Sequence, residues 1–455
     1  MQLKIIATAY FIMKMKIFYF LILALLFPLL AVAQSKQASS IKAVLEKLPG
    51  VKSVEILASD TFFKEKYLIH LEQPVNHHKK NGATFMQRVY VGFSGTEQPT
   101  VFVTEGYSAG YAGNPRYINE LCPLLGANEV VFEHRYFGQS VPEPNDWKFL
   151  TIEQAASDHH RINELMKTVF HGKFISTGIS KGGQTTMYYK YFYPNDVVVA
   201  VPYVAPLNFS DDDSRVNPFI QNIGSADCRN KIRDFQIEIL KKKDALLPAF
   251  SKLANDQNYH FDYVGGAKAA FEYSVLEYPF AFWQWGFIPC SEIPDETAAD
   301  STFLKHFLSV SPMDYFANEG IRQYWPFFYQ ALTEIGYYGY DTTGMGQYFD
   351  AINGLTFSFC APEGTHPKFS GKKMKKVDKF LKNEGDNMIY LYGEYDPWSS
   401  TAFVPKDGKT NALKVVKAGG SHTTRILNLP EDQRTQVLDS LGKWLGSKNN
   451  RNLPE

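Results

Sequence analysis

The sequence predicts an α/β protein: a mainly parallel sheet covered on both faces by helices, its core split by a large helical insertion. Three observations carry this expectation. Apolar strand-like runs alternate with helical runs between residues 100 and 206. Residues 207–360 then change texture, with few β-branched runs, helical spacing and dense aromatics. The strand–helix alternation returns from 371 to 446. Alternation of this kind is the mark of a parallel sheet sandwiched between helices.

The elements follow in order. A helical pattern at 39–48 precedes alternating stretches at 51–57, 66–72 and 85–92, separated by the turn-rich "HHKKNGAT". These read as an antiparallel lead-in of strands. "TVFVTEG" (100–106) is a more buried type of strand, followed by a helical segment at 116–125. "NEVVFEHRYFG" (128–138) predicts another strand and 151–170 a helix. "KFISTG" (173–178) predicts a strand that runs directly into the helical "KGGQTTMYYKYFYP", stopped by Pro194. "VVVAVPYVAP" (197–206) is a further apolar strand. Beyond the aromatic segment, exemplified by "FEYSVLEYPFAFWQWGFIPC" (271–290), come a helix at 371–383, strands at 387–393 and 413–419, and a closing helix at 430–446.

The chain has 455 residues, more than one ordinary core needs, which leaves room for the insertion. Lys plus Arg and Asp plus Glu both number 47, so the basic excess of a nucleic-acid binder is missing. Lys4, Lys14 and Lys16 precede the apolar run 17–33, which ends in Ala31-Val32-Ala33. A basic start, an apolar stretch and small residues at −3 and −1 describe a signal peptide cut before Gln34. The competing reading is an amino-terminal anchor; Pro28 and the Ala-Val-Ala end favour cleavage. The expected division is therefore 1–33 signal peptide, 34–206 first part of the core, 207–360 insertion and 361–455 second part of the core. The product is secreted or periplasmic, and no later stretch is long and apolar enough to span a bilayer. Cys122, Cys228, Cys290 and Cys360 permit one or two disulfides in an exported protein, with the pairing left open. No CxxC spacing supports zinc or redox chemistry. The adjacent pairs His77-His78 and His159-His160 do not put two metal ligands on one face, so neither metal nor cofactor is called for.

Two Gly-x-Ser-x-Gly patterns occur, centred on Ser108 in "EGYSAG" and on Ser180 in "GISKGG". Such a pattern can mark a serine on a sharp strand-to-helix turn with its hydroxyl exposed. Pro115 interrupts the helix that Ser108 would need. Ser180 runs straight into helix-compatible residues, with glycines at −2, +2 and +3 for close packing, and the helix N-terminus favours developing negative charge. A serine nucleophile needs a base, and the base needs an orienting carboxylate. His422, in "AGGSH" after strand 413–419, and Asp396, in "GEYDPW" after strand 387–393, supply both in the order Ser, acid, His. The plain alternative for Asp396 is a helix-capping role. His260, His306 and His366 fall in or beside the insertion, where surface or core histidines are the default.

At these residues the sequence resembles two related groups of serine peptidases: the secreted bacterial prolyl tri- and tetrapeptidyl aminopeptidases, and the lysosomal Pro-Xaa carboxypeptidase and dipeptidyl-peptidase II family. The matching stretches are "EQPVNHHKKNGATFMQRVYV" (72–91), "TEGY" (104–107), "FEHRYFGQS" (132–140), "STGISKGG" (176–183), "YVAPLN" (203–208), "YQALTEIGYYGY" (329–340), "GEYDPWS" (393–399) and "AGGSH" (418–422). Ser-Lys-Gly-Gly at the turn is similar to the bacterial group; the lysosomal group favours Ser-Tyr-Gly-Gly. The resemblance implies an α/β-hydrolase core with a large inserted helical lid, acting on peptide substrates next to proline. It implies Ser180 as nucleophile through an acyl-enzyme, Asp396 as orienting acid and His422 as general base. The backbone N–H of Lys181 and one from the loop at Gly106 and Tyr107 would form the oxyanion hole. Glu105 and Glu334 are candidates to hold a substrate's free amino end. Among the lid aromatics Phe280, Phe282, Trp283, Trp285, Trp325, Phe327 and Tyr329, Trp283 and Trp325 are candidate walls of a proline pocket. Arg135 and Tyr136 lie in a shared stretch, and their plain reading is a buried ion pair with Glu133 and a packing tyrosine. A Pro-Xaa carboxypeptidase, an esterase on the same scaffold, and a binding protein built on an inactive hydrolase are the alternatives.

Overall fold

Nine strands form one sheet in a computed structural model that describes residues 41–60 and 62–446. The segment expected to be cleaved before Gln34 lies outside the described residues. In chain order the strands are β1 (Val51–Leu57), β2 (Glu65–Pro74), β3 (Thr84–Phe93), β4 (Thr100–Thr104), β5 (Asn128–Phe132), β6 (Phe174–Ile179), β7 (Val199–Tyr203), β8 (Met388–Gly393) and β9 (Ala412–Lys417). Their order across the sheet is β1-β2-β3-β5-β4-β6-β7-β8-β9. The first three pair antiparallel and β3 joins β5 antiparallel; from β5 to β9 every pairing is parallel. Sequence pattern and burial agree: all residues of β4, β5, β7 and β8 are buried, as strands covered on both faces must be. This is an α/β-hydrolase fold.

The expected strand 128–138 stops at Phe132. Glu133 turns out of the ladder to pair with Arg88 and to accept from Ser140 Oγ and the Gln139 N–H, both at 2.9 Å. Arg135 therefore has a different partner from the one expected. Its guanidinium forks onto both oxygens of buried Asp158, each at 2.7 Å, and donates to three main-chain carbonyls. The pair ties the β2 end to the helix carrying Asp158. The expected helix at 116–125 shortens to α1 (Leu121–Leu125), because the Asn119 side chain takes the Leu121 N–H and stops the turn there.

Helices α2 (Ile152–Lys167) and α3 (Lys181–Phe192) cover one face. Thr151 caps α2 by accepting from Gln154 N at 3.2 Å, a contact worth about 1 kcal/mol. Between β7 and β8 the chain leaves the sheet and builds α4 (Val216–Ile220), α5 (Ala226–Lys241), α6 (Lys243–Asp256), α7 (Ala267–Trp285), α8 (Asp300–Val310), α9 (Asn318–Gln323) and α10 (Trp325–Gln330). It then returns through α11 (Lys372–Asn383), and α12 (Glu431–Leu445) closes the other face. α7 is the axis of the insertion, apolar on nearly every side, and its core is continuous with one face of the sheet. A disulfide joins Cys228 on α5 to Cys290 beyond α7, while Cys122 and Cys360 are free and buried. Among the described residues no helix is long and apolar enough to cross a membrane.

Candidate active site

The carboxyl ends of β6, β8 and β9 point the same way, so whatever follows them gathers on one edge of the sheet. Ser180 follows β6 directly, with φ 57° and ψ −121°, a conformation that L-residues rarely adopt. The turn is held by Ser180 N donating to Tyr203 O at 2.9 Å and by Gln184 N donating to Ser180 O at 2.9 Å. Close packing leaves no room for side chains around it. A Cβ on Gly178 would collide with the Gly182 carbonyl, and one on Gly183 would come within 2.8 Å of Ala205 Cβ. Ser180 thus stands at the head of α3, where the free N–H groups of the first turn favour negative charge.

Asp396 follows β8 and is fully buried. Its Oδ2 lies 2.7 Å from His422 Nδ1, and its Oδ1 accepts from Trp398 N at 3.1 Å. The capping role and the pairing with histidine hold together, one oxygen for each. His422 follows β9 on a loop that crosses Gly393, where any Cβ would strike the carbonyls of Gly420 and Ser421. Its N–H donates to Gln284 O at 2.8 Å, on the last turn of α7, and the Trp285 ring stands 5.8 Å from the imidazole at 85°. The structure joins acid to histidine, and records no hydrogen bond from Ser180 Oγ to the imidazole among the described residues. In serine hydrolases that contact is often long until substrate is seated.

The Glu105–Tyr107 loop after β4 abuts the Ser180 turn. A Cβ on Gly106 would stand 2.6 Å from Lys181 Cγ and 2.8 Å from Gly182 N. Glu105 is part-buried, takes the Tyr111 hydroxyl, and accepts from Gly106 N at 3.2 Å. Burial pushes its carboxyl upward, opposed by Tyr111, the main-chain N–H groups of Gly106 and Tyr107, and the Lys181 ammonium. Ser108, by contrast, sits past this loop, and the chain bends there into a single 3-10 turn at Gly110–Gly113 rather than a helix.

Glu334 and Trp325, expected to meet substrate, both make contacts within the protein. Glu334 is spent on the scaffold: Oε2 accepts from Ile152 N at 2.8 Å at the head of α2, and Oε1 pairs with Lys373 at 2.8 Å. Trp325 packs on Tyr263 within the insertion at 5.9 Å. Its neighbours on α10, Tyr324 and Phe327, are the residues that meet Tyr107, at 5.9 and 5.8 Å. Trp283 meets Tyr395, beside Asp396, edge-on at 5.4 Å, and also walls a cavity of about 270 Å³ in the insertion together with Phe280, Tyr338 and Tyr340. Tyr324, Tyr111 and the Gln284 carbonyl were not expected from sequence. They reach the site through main-chain geometry or from a loop whose course the sequence does not give.

The sequence profile of the PS-10 peptidase S37 family matches residues 34–452. A prolyl tri/tetrapeptidyl aminopeptidase of Streptomyces mobaraensis is 32% identical over 416 residues, covering 90% of this chain and 85% of the relative. A lysosomal Pro-X carboxypeptidase of Homo sapiens is 24% identical over 418 residues, covering 79% and 83%.

Proposed function

Because the chain belongs to the PS-10 peptidase S37 family, we propose that it is an exported serine exopeptidase cleaving the bond after proline near the amino end of peptides. The observation that carries this reading is the 2.7 Å Asp396–His422 contact on the sheet edge that also bears the strained Ser180 turn. Ser180 Oγ attacks the carbonyl carbon of the proline residue as His422 Nε2 takes its proton. Asp396 holds the imidazole with Nδ1–H toward itself and stabilises the imidazolium. The N–H groups of Lys181 and Tyr107 receive the carbonyl oxygen as it becomes an oxyanion. The C–N bond then breaks, His422 returns the proton to the leaving amine, and water hydrolyses the Ser180 ester by the same relay.

The amino-end direction rests on Glu105 and on the greater likeness to the Streptomyces aminopeptidase. A part-buried carboxylate on the loop that abuts the Ser180 turn offers a partner for a free α-ammonium, and a bond to a charged group contributes about 1.5–3 kcal/mol. Ala-Ala-Pro-type substrates with free and acetylated amino ends are the test. Acetylation should lower kcat/KM about a hundredfold, and Glu105→Gln should erase most of that difference. Equal turnover of both forms by the wild type would replace this reading with a carboxypeptidase or an endopeptidase. Export is supported by the amino-terminal pattern and by a disulfide of the kind kept in oxidising compartments. Amino-terminal sequencing of the natural product should begin at Gln34 or its cyclised form.

A further inference from the structure

The side chain that follows Ser180 is out of keeping with its surroundings. Lys181 is 3% exposed, and its Nζ lies 5.5 Å from the ring centroid of Tyr107 and 5.2 Å from that of Phe137. It donates to one neutral acceptor, Gly106 O, at 2.6 Å. Glu105 is the one charged group that favours its ammonium; His134 and His159, both buried, are disfavoured as cations by burial first and by Lys181 in addition. Burial pulls the Lys181 ammonium down to about 7. An amine so placed costs folding energy, since it gives up its hydration for a single carbonyl and two ring faces. Stability supplies no reason for a lysine in this slot, where an unbranched apolar side chain would fit.

The geometry supplies one. The peptide joining Gly106 to Tyr107 is a rigid plane, with the Gly106 carbonyl and the Tyr107 N–H directed to opposite sides. Holding the carbonyl from below therefore sets the direction of the N–H above. Glu105 holds the preceding N–H, that of Gly106, so the loop is fixed from two sides. We propose that Lys181 is a positioning residue for the reaction: its ammonium, bound to Gly106 O, fixes the peptide plane that aims the Tyr107 N–H at the oxyanion. The inference rests on Ser180 being the nucleophile and on the Tyr107 N–H, which faces Glu105 in the free protein, receiving the oxyanion when substrate is seated.

The experiment compares wild type, Lys181→Met, Lys181→Arg and Ser180→Ala on a free-amine Ala-Ala-Pro substrate, with Tm measured for each. Removing a whole oxyanion donor costs roughly 10²–10³ in kcat, so losing its aim should cost less. Lys181→Met should lose about ten- to a hundredfold in kcat, keep KM within about threefold, and show a Tm equal to or above wild type. Lys181→Arg, which keeps charge and donor, should recover part of the loss. A kcat within about threefold of wild type in Lys181→Met overturns the proposal. So does a loss that tracks a falling Tm, or a Met variant that does not fold, since the lysine is then structural. Ser180→Ala separates the two levels: inactive, it leaves any failure to the Lys181 proposal and the oxyanion geometry it invokes; active, it removes the nucleophile assignment beneath it.

Discussion

Replacing Asp396 with asparagine keeps the shape of a fully buried side chain and changes only what it can donate and accept. In the wild type Oδ1 accepts from Trp398 N at 3.1 Å and Oδ2 faces His422 Nδ1 at 2.7 Å. An asparagine that keeps its oxygen on Trp398 N turns its NH₂ toward Nδ1. The imidazole must then accept there and carry its proton on Nε2, where it is needed as a base. Flipping the amide restores the tautomer but sets NH₂ against the Trp398 N–H, leaving a buried donor unsatisfied at about 1–3 kcal/mol. The flipped form also lacks the charge that stabilises the imidazolium, a further 1.5–3 kcal/mol or so. Together these are about 2.5–6 kcal/mol, or roughly a 10²- to 10⁴-fold lower kcat/KM. The assay is release from the free-amine proline substrate across pH, with Tm as the control for folding. A loss under about tenfold with an unchanged Tm would refute the assignment of His422 and Asp396 to the chemistry.

A fluorophosphonate probe should label wild type and Ser108→Ala and leave Ser180→Ala unlabelled. Glu334→Gln should leave kcat/KM and the penalty for acetylation unchanged. It should lower stability by about 0.5–2 kcal/mol, because a charge at the head of α2 and a half-exposed pair with Lys373 are lost; denaturant unfolding reads it. Glu277 is buried on α7 with only the hydroxyls of Tyr338 and Tyr340 on its carboxylate, and burial raises its carboxyl to about 7. Its folded-state value lies above the unfolded one, so its contribution is complete below the unfolded range near 4.5 and is lost as pH rises through about 7. Wild-type Tm should therefore fall over that window relative to Glu277→Gln, and parallel Tm profiles would contradict it.

What the sequence makes legible here is local. The strands, the helix start after Ser180 and the three glycines around it are set within a few residues and stand near where the pattern puts them, although the strand expected at 128–138 ends at Phe132. The Ser, acid, His order can be looked for in the sequence because parallel strands deliver successive loops to one edge. Long-range choices are hidden. Where the Glu334 carboxylate comes to rest depends on a contact to Ile152, 182 residues away. Trp325 and Phe327 share a short helix whose rotation alone decides which one meets Tyr107. Glu133 and Asp158 compete for Arg88 and Arg135, and the sheet order, not the spacing, settles the exchange. The pairing of Cys228 with Cys290 belongs to the same class.

The bond from His422 N–H to Gln284 O joins a loop at the far end of the chain to the last turn of α7. The insertion is therefore more than a cover. The loop bearing the histidine is seated against the last turn of α7, and the segment just beyond that helix is joined to α5 by the Cys228–Cys290 bridge. A chain whose insertion has not yet formed lacks the carbonyl that this loop binds.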